Sequence, residues 1–214
     1  MQVVGFLHME SGEILGEVEG ADDLLAHMDG QIRNIFRFAF YSGLRTSELI
    51  GLTWDKVDFL NRRVLVNEAY VDGSMQPLKT AGKGVVERSA LLLDPALEAL
   101  KAQKEHSFLE GSLVFHNPYR MKPWLHENQV RRIGWKPAFK KSGVRYRNPY
   151  QTRYTYAHIM IENNENIWWL ANQMGHTGIE MINRHYGGWL EVAVDVYKPN
   201  KLFTAEILSE AENA

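Results

Sequence analysis

The chain has 214 residues, of which 45% are apolar, and it contains no cysteine. Its length suits one domain with a small extension, and the apolar fraction is sufficient to bury a core. The lack of cysteine excludes disulfides, thiolate catalysis and cysteine zinc sites. No apolar run approaches the ~18 to 20 residues that cross a bilayer, and the first residues lack the order of a secretory signal. We therefore expect a cytoplasmic protein with no membrane partner.

The charges are strongly segregated, although the formal net charge is only −2. Residues 1–30 contain seven acids and neither Lys nor Arg, whereas residues 120–153 contain ten Lys or Arg and one acid, Glu127. Aromatic side chains are interleaved with this basic segment, a pattern typical of a surface that follows a phosphate backbone. The alternative is that these basic side chains form a solvated surface that binds no nucleic acid. The candidate nucleic-acid contacts are Arg131, Arg132, Lys136, Lys140, Lys141, Arg145 and Arg147.

The first predicted elements are helices that follow an irregular start. Residues 1–20 are acidic and show no clear period, so a small hairpin, a disordered arm and a cloning remnant all remain open. A short helix is predicted over residues 21–28 and a core helix over 31–41, where apolar residues recur at helical spacing. Ser42-Gly43 ends the core helix, and Thr46 or Ser47 is the expected N-cap of the next one.

After Trp54 the apolar period changes from about 3.6 to 2, which predicts strands. They are expected over residues 63–66, 75–80 and 87–93, and Gly82-Lys83-Gly84 is the expected turn between the last two.

The second half of the chain returns to helical patterns. Asp94 as N-cap and Pro95 in the first turn begin one helix, and a basic helix is predicted over residues 127–141, either continuous or broken near Pro137. The fold class is therefore mainly α with a small antiparallel β-sheet. We expect one domain over residues 21–198 and a C-terminal tail over 199–214 with one short helix at 204–211.

The stretch from Tyr150 to Tyr186 carries the most informative polar residues. Proline at 149 favours a helix start near Thr152, so that Arg153 lies in the first turn, where helix N–H groups also attract anions. A second helix, with Trp168 and Trp169 expected in the core, is predicted to start near residue 167. This second helix is expected to end at Gly175, and His176 lies in the elbow that follows. Thr177 and Glu180 have the spacing of a capping box, so a third helix is expected to begin there. Such groups are suited to binding and attacking a phosphate.

Several common chemistries have no matching motif. The glycines around Lys83 lack the spacing of a P-loop, His126-Glu127 lacks the second histidine of a zinc protease helix, and no G-x-S-x-G elbow is present. The eight histidines are scattered along the chain. We therefore expect neither a nucleotide cofactor nor a metal.

Four sequence boxes, in this order, resemble the tyrosine recombinases of the phage-integrase type. They are SGLRTSEL at residues 42–49, LKT at 78–80 followed by Glu87-Arg88, YQTRYT at 150–155, and MGH at 174–176 with RHY at 184–186. The resemblance covers residues 30–190 and implies the catalytic-domain fold of DNA breaking and rejoining enzymes. A single box would be weak evidence, but four ordered boxes are not expected by chance.

The resemblance implies recombination of duplex DNA at attachment sites without any cofactor. A tyrosine hydroxyl attacks a backbone phosphodiester, which leaves a 3′-phosphotyrosyl enzyme and a free 5′-hydroxyl, and a second 5′-hydroxyl reverses the step. It also implies a homo-tetramer on DNA, with a monomer in isolation as the alternative, and a bacterial host cytoplasm.

The same resemblance assigns roles to individual side chains. Tyr186 is the expected nucleophile, Arg45 and Arg153 are expected to clamp the phosphate, and His176 is expected to bind a nonbridging oxygen or assist proton transfer. The general acid is expected to be Lys79, on the strand predicted over residues 75–80, with Lys83 in the turn as the alternative. Tyr150 stands where the family commonly has histidine, so its role there is open.

Other functions remain as alternatives. The same residues would serve a type IB topoisomerase-like strand cleavage, and each of them taken alone also has a packing or ion-pairing explanation. A non-cleaving DNA-binding remnant is the alternative from another class. Family members usually carry a core-binding domain before the catalytic part, so a truncated integrase with weak DNA binding is expected here. Residues 203–208 are expected either to dock on a neighbouring protomer or to fray.

Overall fold

The computed structural model describes residues 21–120, 122–184 and 186–187, and the backbone alone at 6–7 and 14–15. Strands β1 (Phe6–Leu7) and β2 (Ile14–Leu15) pair antiparallel, which corresponds to the small-hairpin alternative. The predicted tail over 199–214, its helix at 204–211 and the docking segment at 203–208 lie outside the described residues.

The first helices form as expected and contribute to the main core. They are α1 (Ala21–Ala26), α2 (Gly30–Ser42) and α3 (Thr46–Ile50). Helix α2 is the central element, because its Phe38 and Phe40 are fully buried. It ends at Gly43, whose φ of 66° lies in the left-handed region that favours glycine.

The expected N-cap of α3 is wrong. Arg45 occupies the cap position, and the Glu48 carboxylate accepts its backbone N–H at 2.9 Å. The Glu48 carboxylate therefore binds a free backbone N–H at the start of α3, and neither Thr46 nor Ser47 is needed as the cap.

The strands that follow α3 form two small antiparallel sheets. β3 (Val57–Asp58), β4 (Arg63–Val66) and β7 (Arg88–Leu91) make a sheet in the order β3-β4-β7. β5 (Glu68–Val71) and β6 (Ser74–Pro77) make a separate hairpin. The prediction of β4 is confirmed, whereas β5 was not predicted.

The predicted hairpin around Gly82-Lys83-Gly84 is wrong. Residues Ala81–Lys83 form a short 3-10 helix, and β7 pairs with β4 rather than with β6. The turn that closes a hairpin is Asp72-Gly73, with φ values of 48° and 87°. Positive φ at both central residues is the geometry that matches strand twist, and Asp-Gly is among the pairs best able to adopt it.

The second half begins with α4 (Asp94–Ser107), which has Pro95 in its first turn as expected, whereas the prediction of Asp94 as N-cap is wrong because Leu93 occupies that position. The basic helix is not broken at Pro137. It runs as α5 (Glu127–Val130), a π-helical turn (Arg131–Trp135) and α6 (Lys136–Ser142). Because Pro137 has no N–H and its ring crowds the carbonyl four residues earlier, a wider turn just before it lets the helix continue.

A second, smaller core is formed by α7 (Gln151–Glu162), α8 (Ile167–Gln173) and a last helical segment at 180–184 and 186–187. Gly175 ends α8 with a φ of 65°, as predicted. The last segment begins at residue 180, later than the Thr177 cap predicts. Trp168 is 66% exposed and Trp169 half-buried, so the expectation of two core tryptophans is wrong.

None of the helices within the described residues is long and apolar enough to cross a membrane.

Candidate active site

The start of α7 is fixed by side chains that bind its free backbone groups. The Asn148 side chain accepts the Tyr150 N–H at 3.0 Å, and the Thr152 hydroxyl donates to the Pro149 carbonyl at 2.9 Å. Arg153 follows in the first turn and its side chain is directed into the protein, because the residue is only 1% exposed.

Arg153 joins three separate parts of the chain. Its guanidinium donates to the carbonyls of Gly43, at the end of α2, and of Met174, at the end of α8. Its Nη2 also lies 2.9 Å from Nε2 of His176. Burial, followed by repulsion from Arg45, lowers the pKa of Arg153 to about 10, against an opposing effect of Glu48. Arg153 is therefore still a cation at neutral pH.

Arg45 approaches the same elbow from the other side. Its Nη1 binds Glu48 at 2.8 Å and its Nη2 donates to the Gly175 carbonyl at 3.3 Å. The two arginines thus bind successive carbonyls, those of Met174 and Gly175, immediately before His176. Arg45, Arg153 and His176 are brought together as the sequence boxes predict.

Glu48 is a buried carboxylate within this group of cations. Burial by itself would raise the pKa of the Glu48 carboxyl, but the charge and hydrogen bonds of Arg88, together with Arg45 and Arg153, outweigh it and lower the pKa to about 2. Glu48 is therefore ionised at any physiological pH and holds Arg45 in place.

Tyr186 packs beside these residues and is almost fully enclosed. It is 2% exposed, and its ring centroid lies 5.4 Å from that of Tyr154, which in turn lies 5.6 Å from that of Tyr150. Burial raises the pKa of the Tyr186 hydroxyl far above its ordinary value, and attraction to Arg153 only partly opposes this effect. Tyr150 is 41% exposed and lies at the outer end of this row of rings.

Lys79 does not occupy the predicted strand position. β6 ends at Pro77, which has no N–H to continue the ladder, and both Lys79 and Lys83 are exposed in the connection to β7. Leu78 is buried in the main core and fixes one end of that connection. The contacts of the described residues do not join either lysine to the arginines.

The basic residues lie on one continuous part of the chain, close to this site. Arg131 and Arg147 are half-buried, and the other five candidates are exposed. Arg131 lines a cavity of about 380 Å³ together with Thr46 and Tyr150. The cavity therefore lies between the start of the basic helix and Tyr150.

Arg88 and Gln173 are buried polar residues to which the sequence assigned no role. Arg88 forms an ion pair with Glu48 at 2.6 Å, and the Gln173 side chain binds the backbone of Leu91. The period-2 pattern of β7 was a usable signal, since it places Arg88 on the same face as the buried Ala90.

The model of the phage integrase family matches residues 17–188. The chain is 34% identical to the prophage integrase IntR of Escherichia coli K12 in an alignment of 194 positions that covers 78% of this chain and 46% of that protein. It is 30% identical to the putative defective protein IntQ of the same organism, again over 46% of that protein. The chain thus spans slightly under half the length of the curated relatives it matches.

Solved structures show the same fold at lower identity. XerA recombinase superimposes with a TM-score of 0.68 and 18% identity, over 91% of this chain and 67% of that one. The Tn1549 transposon integrase in complex with a circular intermediate DNA superimposes with a TM-score of 0.64 and 17% identity, over 89% of this chain and 63% of that one. The chain belongs to the phage integrase family, and its fold is that of the tyrosine recombinase catalytic domain.

Proposed function

We propose that this chain is the catalytic domain of a prophage integrase, which cleaves and rejoins duplex DNA at attachment sites through a 3′-phosphotyrosyl intermediate. The observation that carries the proposal is the convergence of Arg45, Arg153, His176 and Tyr186 around the elbow after α8. We propose residues 21–198 as the domain, preceded by the extension at 1–20. Its action on DNA would take place in the cytoplasm of the bacterial host.

The charges of the site suit attack on a phosphodiester. Arg45, Arg153 and Arg88 carry three positive charges against the single carboxylate of Glu48. The excess positive charge favours a phosphate, and it favours even more the additional negative charge that develops in the transition state. Arg45 and Arg153 would then exchange a carbonyl of the elbow for a nonbridging phosphate oxygen.

The raised pKa of Tyr186 requires proton transfer to accompany attack. A free tyrosinate would be rare at neutral pH, so the hydroxyl proton has to move to a nearby base as the bond to phosphorus forms. His176, whose Nε2 lies 2.9 Å from Nη2 of Arg153, is the proposed base. The leaving 5′-oxygen would receive a proton from Lys79, or from Lys83, after the connection between β6 and β7 closes over the DNA.

The nucleophile also has to become accessible. Tyr186 is 2% exposed and Arg153 1% exposed, so a duplex phosphate can reach neither without a shift of the last helical segment away from Tyr154. DNA binding to the basic residues would supply the free energy for this shift. Assembly as a homo-tetramer on DNA, as in the solved lambda integrase tetramer bound to a Holliday junction, is part of the proposal.

The test is the formation of a covalent protein–DNA adduct on nicked attachment-site DNA in the presence of EDTA. The nick lets the short 5′ fragment diffuse away, so that the adduct accumulates. We expect an adduct with the wild-type chain and with Tyr150→Phe, and none with Tyr186→Phe, while the DNA affinity of all three stays equal within about twofold because only one hydroxyl is removed.

Two results would contradict the proposal. Wild-type chain that retains the DNA but forms no adduct would support the non-cleaving remnant, and an adduct that survives Tyr186→Phe would assign the nucleophile elsewhere. Relaxation of supercoiled plasmid without exchange between two sites would support the topoisomerase-like alternative.

A further inference from the structure

Three successive carbonyls at the end of α8 each accept a hydrogen bond from a different arginine. Arg88 Nε donates to the Gln173 carbonyl at 3.0 Å, Arg153 donates to that of Met174, and Arg45 donates to that of Gly175 at 3.3 Å. The last carbonyls of a helix have no partner within the helix and form the negative end of its dipole, so cations are favoured there. The elbow that carries His176 is thus held by arginines from β7, α7 and the start of α3.

Arg88 differs from the other two arginines in its remaining contacts. Its Nη1 and Nη2 donate to the two oxygens of Glu48 at 3.2 and 2.6 Å, and the residue is 5% exposed. Every nitrogen of this guanidinium is therefore bonded inside the protein. Arg88 could bind a DNA phosphate only by giving up bonds that it makes inside the protein.

The space around Arg88 is closely fitted to the elbow. A Cβ placed on Gly175 would lie 2.7 Å from Arg88 Nη1 and 2.9 Å from its Cζ, so only glycine allows the chain to pass over the guanidinium. The Gln173 side chain adds a second link to the same strand, because it donates to the Leu91 carbonyl at 2.7 Å and accepts the Leu91 N–H at 3.0 Å. The end of α8 is thereby fixed against the edge of β7.

We propose that Arg88 is a positioning residue that sets the separation between Arg45 and His176. It fixes Arg45 through Glu48, and it fixes the elbow through the Gln173 carbonyl and the contact with Gly175. This inference rests on the proposed strand cleavage, since the distance between those two groups matters only if they act on one phosphate. Displacement by about 1 Å is enough to lower a rate on the order of 10²-fold.

The proposal has a pH signature that a packing role alone does not have. The charged groups facing the Glu48 carboxyl are Arg45, Arg88 on β7 and Arg153 on α7, and burial opposes all of them. Without Arg88 the carboxyl keeps its burial and loses its closest cation, so its pKa rises. Once Glu48 takes up a proton, Arg45 loses its anchor.

The experiment compares Arg88→Met, Arg88→Lys, Glu48→Gln and the double variant Arg88→Met/Glu48→Gln. Arg63→Met is the matched control, because Arg63 is an exposed arginine on the adjacent strand β4. For each protein the single-turnover rate of adduct formation at saturating DNA is measured from pH 5 to pH 9, together with the DNA Kd and the thermal unfolding midpoint.

For Arg88→Met we expect a rate about 10²-fold below wild type with an unchanged Kd, and a new decrease in rate toward acid pH that the wild type lacks. Arg88→Lys keeps one charge but cannot bind Glu48 and Gln173 together, so an intermediate rate is expected. The acid decrease should be absent from both variants that carry Glu48→Gln. Arg63→Met should match wild type.

The proposal fails if folded Arg88→Met or Arg88→Lys cleaves at the wild-type rate, or if the acid decrease persists in the double variant. If Arg88→Met does not fold, the cleavage rate of Arg88→Lys tests the proposal. A further readout needs no cleavage: the Gly175 amide and His176 ring NMR signals of the DNA-free chain should move in the Arg88 variants and not in Arg63→Met. Unmoved signals would overturn the positioning role, whereas moved signals with an inactive wild type would count against the proposed function alone.

Discussion

At the scale of single residues, the site is a set of cations whose partners are mostly carbonyl oxygens of the protein itself. Arg153 is the clearest case, since it binds the carbonyls of Gly43 and Met174 and contacts His176. A planar guanidinium can serve all of these acceptors at once because its donors are fixed in a fork. A lysine at this position would have a single ammonium group.

Arg153→Lys should therefore separate charge from geometry. The charge stays, but at least one buried carbonyl loses its donor, which costs about 1 to 3 kcal/mol in the free energy of unfolding. We expect the rate of adduct formation to fall on the order of 10²- to 10³-fold. Urea unfolding and the adduct assay check the two parts, and Arg145→Lys, at an exposed position, serves as the control. An active Arg153→Lys chain would show that charge alone is sufficient.

Glu48 gives a prediction about stability and pH. Its pKa in the folded protein is about 2 against an ordinary 4.5, so the unfolded chain takes up the proton first as the pH falls. The stabilisation is complete above about pH 4.5 and is lost as the pH falls to about 2. The shift corresponds to about 3 kcal/mol. Urea unfolding between pH 7 and pH 3 should show Glu48→Gln with a flatter pH dependence than wild type, and equal slopes would contradict this assignment.

At the scale of secondary-structure elements, the contact of α2 with α7 positions the first arginine box relative to the second. A Cβ on Gly43 would lie 2.5 Å from the Tyr156 ring, and Gly43 also supplies a carbonyl to Arg153. Gly143, at the end of α6, has a similar φ of 72° but open space around it. Both glycines thus have a left-handed backbone, but only Gly43 lies against a neighbouring side chain.

Alanine at each of these glycines should distinguish the two effects. Gly143→Ala should cost only the strain of a left-handed residue, about 1 to 2 kcal/mol in the free energy of unfolding. Gly43→Ala adds a collision with a buried ring, which raises the loss by a further 1 to 3 kcal/mol or so and displaces Arg153. Denaturant unfolding measures both, and equal losses would indicate that Tyr156 moves aside freely.

The sequence predicts elements well where local signals agree with the tertiary structure. The limits of β4 and the starts of α7 and α8 follow from periodicity and proline, whereas β5 was missed because Asp72-Gly73 was not used as a hairpin signal. The boxes predict Arg45, Arg153, His176 and Tyr186 as site residues, and the structure places these side chains close together. They do not predict the bond between Arg88 and Glu48, because these residues are 40 positions apart, on β7 and α3, and only the tertiary structure brings them together.

At the scale of the whole molecule, segregation of charge matters more than the net charge of −2. The exposed residues Lys136, Lys140 and Lys141 follow the π-helical turn in the basic segment. Contacts between lysine and phosphate release counterions, so binding should weaken in proportion to the logarithm of the salt concentration.

Lys140→Gln/Lys141→Gln should lower the slope of log K against log salt by about 2. Cleavage at saturating DNA should stay at the wild-type rate, because neither lysine contacts the arginines of the site. Titration of a fluorescent duplex at several salt concentrations measures the slope. Lys101→Gln, an exposed lysine on α4 outside the basic segment, should leave it unchanged. An unaltered slope in the double variant would remove this face from the DNA footprint.

The position of Tyr186 inside the smaller core has a consequence for evolution and engineering. Tyr186 packs with Met160, Leu170 and Ile182 in that core, so the residue proposed to attack DNA also contributes to folding. Substitutions that tighten this core would raise the melting temperature and, by holding the tyrosine inside, slow the enzyme. If the chain acts as proposed, selection for activity would limit how tightly this core can pack. Variants selected for faster recombination should carry their changes there, at residues that never touch DNA.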